Sequence, residues 1–327
     1  MKVGINGFGR IGRLVFKASR DTAIDVVGIN DITDAATLAH LLKYDSVHGR
    51  YPGEIRVEGN SIVINGKSIP VSAEKDPANL PWSKLGADII LECTGKFTDK
   101  AGASKHINGG AKKVLISAPA KGHDGTFILG VNSQDYDKNK HHVVSIGSCT
   151  TNCLAPLSKV IMDNFGIVKG FMTTIHSFTA DQRLQDAPHS DLRRARAASM
   201  SMIPTTTGAA KAIAEVIPAL KGKMDGVAIR VPTPDASLVD LGVIMECEAT
   251  VEQINAAFKK AATSGPLSKT LQYCEEPIVS IDVVGNPHGA VFDSGMTAVQ
   301  GNYAKVFGWY DNEWGFSCRM VDMMLMM

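Results

Sequence analysis

Long apolar runs are missing from this chain. Nowhere in its 327 residues does a stretch approach the ~18 apolar residues that a membrane-spanning helix needs. The N-terminus, Met1-Lys2-Val3-Gly4-Ile5-Asn6, has no basic leader followed by an apolar segment, so no secretory signal is expected. Cysteine is sparse: Cys93, Cys149, Cys153, Cys247, Cys274 and Cys318 are too few for a disulfide scaffold in a chain this long. No C-x-x-C pair is present to suggest structural zinc, and no metal is expected. An excess of one charge is lacking too. The formal net charge of +1 gives no global field toward nucleic acid or a membrane surface. Internal repeats and low-complexity tracts are absent. These exclusions leave a reduced, cytoplasmic globular protein. At about 150 residues per domain its length suggests two domains.

The first half alternates short apolar runs with helical stretches. A strand at Lys2–Asn6, a Gly-rich turn, a helix near Arg10–Arg20 and a strand at Ile24–Ile29 open the series. Further strand-like runs are Ala87–Leu91, Lys113–Ile116, Phe127–Leu129 and Val143–Ser145. This pattern predicts an α/β domain with a doubly wound, mostly parallel sheet. Residues 50–80, rich in Gly and Pro and alternating around Ile62 and Ile64, read as an antiparallel excursion. After Cys149 the texture changes to a helix over Asn152–Asn164, strands at Phe171–Ile175, Val227–Val231 and Ser237–Met245, and a helix over Thr250–Ser264 that Thr250 and Gln253 can open as a capping box. That half is expected to be α+β. Between Phe178 and Ile203 periodicity fades, and such long loops are usually functional or interface-forming. The Met-rich tail reads as a helix packing its apolar face.

Gly7-Phe8-Gly9-Arg10-Ile11-Gly12 matches G-x-G-x-x-G between a strand and a helix, with the acidic Asp31 closing the next strand. That spacing, near the expected ~20 residues, is what a dinucleotide site requires. Glycines let the backbone approach a pyrophosphate at the helix N-terminus, and Asp31 can accept from ribose hydroxyls. A carboxylate there repels a 2′-phosphate, and Ile32 offers no compensating donor, so NAD is favoured over NADP.

Ser148-Cys149-Thr150-Thr151-Asn152-Cys153 lies between a strand and a helix start. A thiol at the positive end of a helix is expected to have a lowered pKa. His176, closing a strand, is placed to serve as its base. These features alone leave open a duller pair: an inert buried thiol and a structural imidazole.

The motif also resembles the active-site signature of the glyceraldehyde-3-phosphate dehydrogenases. Asn6-Gly-Phe-Gly-Arg-Ile-Gly-Arg13, His176-Ser-Phe-Thr-Ala-Asp181, Leu192-Arg-Arg-Ala-Arg-Ala-Ala198, Pro204-Thr-Thr-Thr-Gly-Ala-Ala-Lys211, Arg230-Val-Pro-Thr-Pro234 and Trp309-Tyr-Asp-Asn-Glu313 follow in that family's order. The resemblance implies a phosphorylating, NAD-dependent enzyme with a Rossmann domain over 1–148, a catalytic domain over 149–311 and a C-terminal helix over 312–327 that returns to the first. It implies Cys149 as nucleophile and His176 as base. For the cofactor it implies Gly7, Gly9, Arg10, Ile11, Gly12, Asp31, Thr94, Gly95, Ser117 and Asn312. Thr179, Asp181 and Arg230 match the substrate-phosphate site, with Asp181 expected to orient Arg230. Ser148, Thr150, Thr207 and Gly208 match the inorganic-phosphate site. Implied partners are glyceraldehyde 3-phosphate, inorganic phosphate and three further copies of the chain; no nucleic acid and no membrane are expected. The arginines around Arg193–Arg196 read as interface or active-site rim.

Some positions depart from the family pattern. Phe316 stands for the usual Tyr, Ile146-Gly147 for Asn-Ala, and Ala187 beside Pro188 mixes NADP-type and NAD-type features. The nearest rival, erythrose-4-phosphate dehydrogenase, typically lacks the Thr179 and Thr207-Gly208 features kept here. A Cys/His hydrolase would not need the glycine turn or Asp31. The net charge gives no support to a non-enzymatic RNA- or surface-binding role.

Overall fold

A computed structural model describes residues 1–327 as two compact units. One comprises 1–127, 135–147 and 317–327, and the other 128–134 and 148–316.

The first unit opens with β1 (Lys2–Asn6), α1 (Arg10–Ala18), β2 (Asp25–Asn30) and α2 (Ala35–Lys43). The excursion follows as β3 (Ile55–Glu58), β4 (Ser61–Ile64) and β5 (Lys67–Ser72). Then come α3 (Trp82–Leu85), β6 (Ile89–Glu92), α4 (Lys100–Asn108), β7 (Lys113–Ile116), β8 (Gly125–Thr126) and β9 (Val143–Ser145). Strand order is β3-β4-β5-β2-β1-β6-β7-β9-β8. Pairing is parallel from β5 to β8 and antiparallel across β3, β4 and β5, as the alternating Ile residues imply. Chain order reverses direction between β1 and β6, the switch point where such sheets bind ligands beyond their C-terminal edge.

One strand expectation fails. Phe127–Leu129 is not a strand; pairing ends at Thr126. The Phe127 N–H still reaches Ser145 O at 2.9 Å, but the Ile128 N–H turns to Asn132 Oδ1 at 2.8 Å. The run is apolar because it packs. Phe127 sits against Tyr136 and His141, and Ile128 enters the second unit's core.

The second unit begins with α5 (Cys149–Phe165), β10 (Lys169–Ser177), β11 (Ile203–Thr206), α6 (Ala209–Val216), β12 (Met224–Val231) and β13 (Ser237–Ile244). It continues through α7 (Val251–Thr263), β14 (Leu271–Cys274), α8 (Ser280–Val283), β15 (Ala290–Gln300) and β16 (Tyr303–Tyr310); the last helix, α9 (Trp314–Met326), begins in this unit, and its residues from 317 on belong to the first. The sheet runs β11-β12-β10-β13-β16-β15-β14. One face buries Met172, Val239, Leu241, Val306 and Phe292 with Leu154, Leu157 and Ile161 of α5 and Phe258 of α7 in a single core. Phe258 and Phe292 stack at 3.8 Å. Thr250 and Gln253 form the expected capping box of α7. The last turns of α9 bury Met320, Met323 and Met324 and leave Met326 exposed, so the tail packs one apolar face as expected. Among these elements no helix is long and apolar enough to cross a membrane.

Candidate active site

The Gly-rich turn links β1 to α1. Gly7 has φ of 90°, a left-handed backbone that favours glycine, and a Cβ there would meet Thr94 N at 2.7 Å. Gly12 packs the helix onto the turn so closely that a Cβ would lie 2.2 Å from Gly7 O. Gly9 differs, since a Cβ there would meet nothing within 4 Å. Gly9 is also the N-cap of α1, with no side-chain cap and no acidic residue in the first turn. The space beside Gly9 is therefore open at a helix start that no side chain caps, the arrangement that suits a pyrophosphate.

Asp31 accepts the Phe8 N–H at 2.8 Å and the Thr33 N–H at 2.9 Å, so its carboxylate also braces the turn. The N-cap of α2 is Asp34, which accepts from Thr37 N. Gly7, Gly9, Asp31 and Thr94 line one cleft of about 320 Å³. Asn6, Asn30 and Glu74 share its wall without having stood out in the sequence. Arg10, Ile11, Gly12, Gly95 and Ser117 lie on neighbouring stretches and do not line it. Arg10 pairs with Asp45 at 2.9 Å, and the Ser117 N–H donates to Glu92 O at 3.0 Å.

In the second unit, α5 starts earlier than its apolar periodicity suggests. Ser148 is its N-cap, accepting the Thr151 N–H at 3.0 Å, which makes Cys149 the first helical residue. Cys149 Sγ lies 3.5 Å from His176 Nε2. The other ring nitrogen sits 2.7 Å from Ser177 O. Arg230 Nη1 also lies 3.0 Å from Nδ1, but its two hydrogens have oxygen acceptors in Ser177 O and Thr179 Oγ1; a carbonyl only accepts, so Nδ1 carries the hydrogen and Nε2 presents its lone pair to the sulfur. Parallel register sets His176 opposite Arg230 on β12. Arg230 Nη1 donates to Ser177 O at 3.1 Å and to Thr179 Oγ1 at 3.0 Å.

Burial pushes the Cys149 thiol up to about 11, against the pull of Arg230 and of Thr150 at the helix start. Burial, then Arg230, pushes His176 down to about 3. The lowered thiol pKa expected from the sequence is therefore not met. A helix terminus contributes at most about 2 kcal/mol, or about 1.5 pKa units, and loss of solvent outweighs it. At neutral pH the proton rests on sulfur with an acceptor beside it.

Thr179 donates to Asp181 Oδ1, whose other oxygen pairs with Arg194 Nη1 at 2.7 Å. Asp181 thus holds Arg194 directly and bears on Arg230 through Thr179, which accepts from Arg230 Nη1. Burial acts to raise the Asp181 pKa, but Thr179, Arg230 and Arg194 outweigh it and hold the carboxyl below its ordinary value. Arg194 Nε also donates to Thr205 Oγ1 at 3.0 Å. The sequence offered only the Arg-rich cluster as a sign of Arg194. Tyr310 was missed as well. Its phenol joins Thr150 and Thr174 at 2.9 and 2.8 Å, and its ring stands edge-on to His176.

Thr207 Oγ1 accepts from Ala209 N at 3.2 Å, and Gly208 caps α6 without a side-chain bond. Asn312 Oδ1 accepts from Ser177 and Ser237 hydroxyls at 2.8 and 2.7 Å, which orients its amide nitrogen as the donor end. Cys153 is fully buried against Gly308 O at 3.4 Å.

Residues 148–312 match the family model described as glyceraldehyde 3-phosphate dehydrogenase, C-terminal domain, and residues 1–100 match the NAD binding domain of the same family. The chain belongs to the glyceraldehyde 3-phosphate dehydrogenase family. A glyceraldehyde-3-phosphate dehydrogenase of Geobacillus stearothermophilus is 58% identical over 325 residues, covering 99% of this chain and 97% of that protein. One from Streptomyces coelicolor is 56% identical with the same coverage. Glyceraldehyde-3-phosphate dehydrogenase 1 of Bacillus cereus is 57% identical over 324 residues, covering 98% of this chain and 97% of its own length. Family membership makes the Gly-rich cleft part of an NAD-binding domain, and the open helix start at Gly9 fits a dinucleotide diphosphate.

Proposed function

We propose that this chain oxidises glyceraldehyde 3-phosphate with NAD and inorganic phosphate to 1,3-bisphosphoglycerate, through a thioester on Cys149. The observation that carries the reading is the sulfur–imidazole pair: Sγ beside the Nε2 lone pair, with Nδ1–H tied to Ser177 O. As sulfur attacks the aldehyde carbon, the thiol proton passes to Nε2 and from there to the former carbonyl oxygen, giving a thiohemiacetal and leaving Nε2 free again. His176 then takes the hydroxyl proton as the carbon gives up hydride, leaving a thioester. Bound NAD supplies the hydride acceptor. Phosphate oxygen attacks the thioester carbon, the C–S bond breaks, and acyl phosphate leaves with sulfur regenerated. The Cys149 backbone N–H, at the start of α5, stabilises the oxyanion.

In this reading Thr179 and Arg230 hold the substrate phosphate. Asp181 keeps Thr179 and Arg194 in place, and Arg194 adds charge to the rim. Ser148, Thr150, Thr207 and Gly208, at the starts of α5 and α6, receive the attacking phosphate, Thr150 through its backbone because its hydroxyl is engaged by Tyr310. Gly7, Gly9, Arg10, Ile11, Gly12, Asp31, Thr94, Gly95, Ser117 and Asn312 bind NAD, with Asn312 donating to the nicotinamide carboxamide. The first unit is then the coenzyme domain and the second the catalytic one.

The chain acts in the reducing cytoplasm, a reading supported by six free cysteines. It assembles as a homotetramer through the face of the second unit's sheet opposite α5 and α7, which α8 covers only around Val291 and Trp309 and where Phe171 and Met296 are 53% and 52% exposed.

NADH formation with glyceraldehyde 3-phosphate should require inorganic phosphate, and Cys149→Ser should bind NAD yet form no acyl-enzyme. A rate indifferent to phosphate would instead favour thioester hydrolysis, the erythrose-4-phosphate dehydrogenase type of reaction.

A further inference from the structure

The chemistry at Cys149 leaves unused a buried polar network in the first unit. Strand register places Ser72, Asn30, Asn6 and Glu92 in one row across β5, β2, β1 and β6. Glu92 is 1% exposed and His106 of α4 is 0% exposed. Glu92 Oε2 accepts from Asn6 Nδ2 at 2.6 Å and lies 3.0 Å from His106 Nε2. Glu92 Oε1 accepts the Thr94 N–H at 2.8 Å and the Thr94 hydroxyl. Behind the imidazole, Trp82 Nε1 sits 3.0 Å from His106 Nδ1.

These contacts fix every proton. An indole nitrogen only donates, so His106 Nδ1 carries the lone pair and Nε2 the hydrogen. The ring is neutral and donates to Glu92. All groups facing the carboxyl are then donors, the pattern that an ionised carboxylate satisfies. Because Asn6 gives its NH2 to Glu92, its Oδ1 faces Asn30, whose Nδ2 donates at 2.7 Å. Asn30 Oδ1 in turn accepts from Ser72 Oγ at 2.9 Å and Glu74 N at 2.8 Å. Two hydrogen-bond chains, one from Trp82 through His106 and one from Ser72 through Asn30 and Asn6, converge on one buried carboxylate.

Burying a charge costs desolvation, and an apolar residue would fill the place without it. What the charge adds is direction. It sets which way each amide in the row points, and the row ends in residues that form the cleft wall: Asn6, Asn30, Glu74 and Thr94.

We propose that Glu92, with His106 behind it, is a positioning residue for NAD, holding the cleft wall in its binding arrangement before the coenzyme arrives. This rests on reading the cleft as the NAD site. Neither side chain touches the reacting atoms, so the effect falls on coenzyme affinity and not on the chemical step.

Glu92→Gln keeps the shape but turns an NH2 toward other N–H donors, Asn6 Nδ2 and His106 Nε2 on one side or the Thr94 backbone on the other. KM and Kd for NAD are expected to rise about tenfold or more, the scale of a lost hydrogen bond to a charged group. At saturating NAD, kcat and the KM for glyceraldehyde 3-phosphate should change less than about twofold, and alkylation of Cys149 by iodoacetamide should be unaffected. His106→Gln, which keeps a donor toward Glu92, should stay near wild type, while His106→Leu should follow Glu92→Gln. Should Glu92→Gln not accumulate as folded protein, the two His106 variants carry the comparison. Wild-type protein that fails to bind NAD would sink the reading of the cleft itself. Wild-type binding matched by Glu92→Gln or by His106→Leu overturns the positioning role alone. So does a loss spread equally over kcat and both KM values, or a His106→Gln variant as impaired as His106→Leu, since either marks a general structural part.

Discussion

At the residue scale the site turns on where one proton rests. His176 is held near 3, chiefly by burial and then by Arg230, against an ordinary value of 6.5. Between those values the unfolded chain binds a proton that the folded chain refuses, so stability rises with pH across that window and falls on acidification. From this one group the slope is about 1.4 kcal/mol per pH unit. His176→Gln removes the group, so from about pH 7 to about pH 5 its Tm should drop less than that of wild type; equal drops would mean that the imidazole is not kept neutral. Cys149 and His176 stood out in the sequence as chemical types beside a helix start and a strand end. Their 3.5 Å separation, the tautomer set by Ser177 O and the upward push on the thiol did not, because each depends on residues distant in the chain. Tyr310 shows the limit most clearly. Its hydroxyl joins Thr150 and Thr174, and nothing near it in sequence distinguishes it from a core tyrosine.

At the element scale the β1–turn–α1 unit was legible because its constraints are local: Gly7 and Gly12 answer steric demands from a neighbour a few residues or one strand away. The glycines nevertheless separate into two kinds. Gly9→Ala should leave Tm unchanged yet weaken NAD binding, because its Cβ would meet no protein atom and would point into the space left for the diphosphate. Gly12→Ala should lower Tm, since its Cβ would collide with Gly7 O. Equal thermal stability of the two variants would contradict this division. The α7 capping box was equally local. Thr250→Ala should cost about 1 kcal/mol by urea denaturation, with no change in NAD affinity. Phe127–Leu129 misled because an apolar run records burial, not strand pairing; only the Ile128–Asn132 turn shows that the chain has left the sheet. Helix α5 likewise begins at Cys149 because of the Ser148 cap, whereas apolar spacing alone suggested a start at Asn152.

At the scale of the whole molecule the chain is two units with separate cores, and the proposed assembly adds copies of the same chain. Phe171→Asp places a charge in the exposed sheet face of the second unit, so if the proposed tetramer forms there, light scattering should find a smaller species than for wild type; an unchanged mass would remove that face from the interface. The sequence by itself determined what is encoded over short range or by position along the chain: the parallel α/β first half, the glycine turn with Asp31, the helix start that carries Cys149, and the ordered motifs that mark the family. Tertiary structure alone decided what depends on register and burial. It set His176 opposite Arg230, gave Asp181 to Arg194, and aligned Asn30, Asn6 and Glu92 in one row. The physical reason is that steric and capping demands act between near neighbours, while charge, proton position and hydrogen-bond direction depend on whichever residues folding brings within a few ångströms.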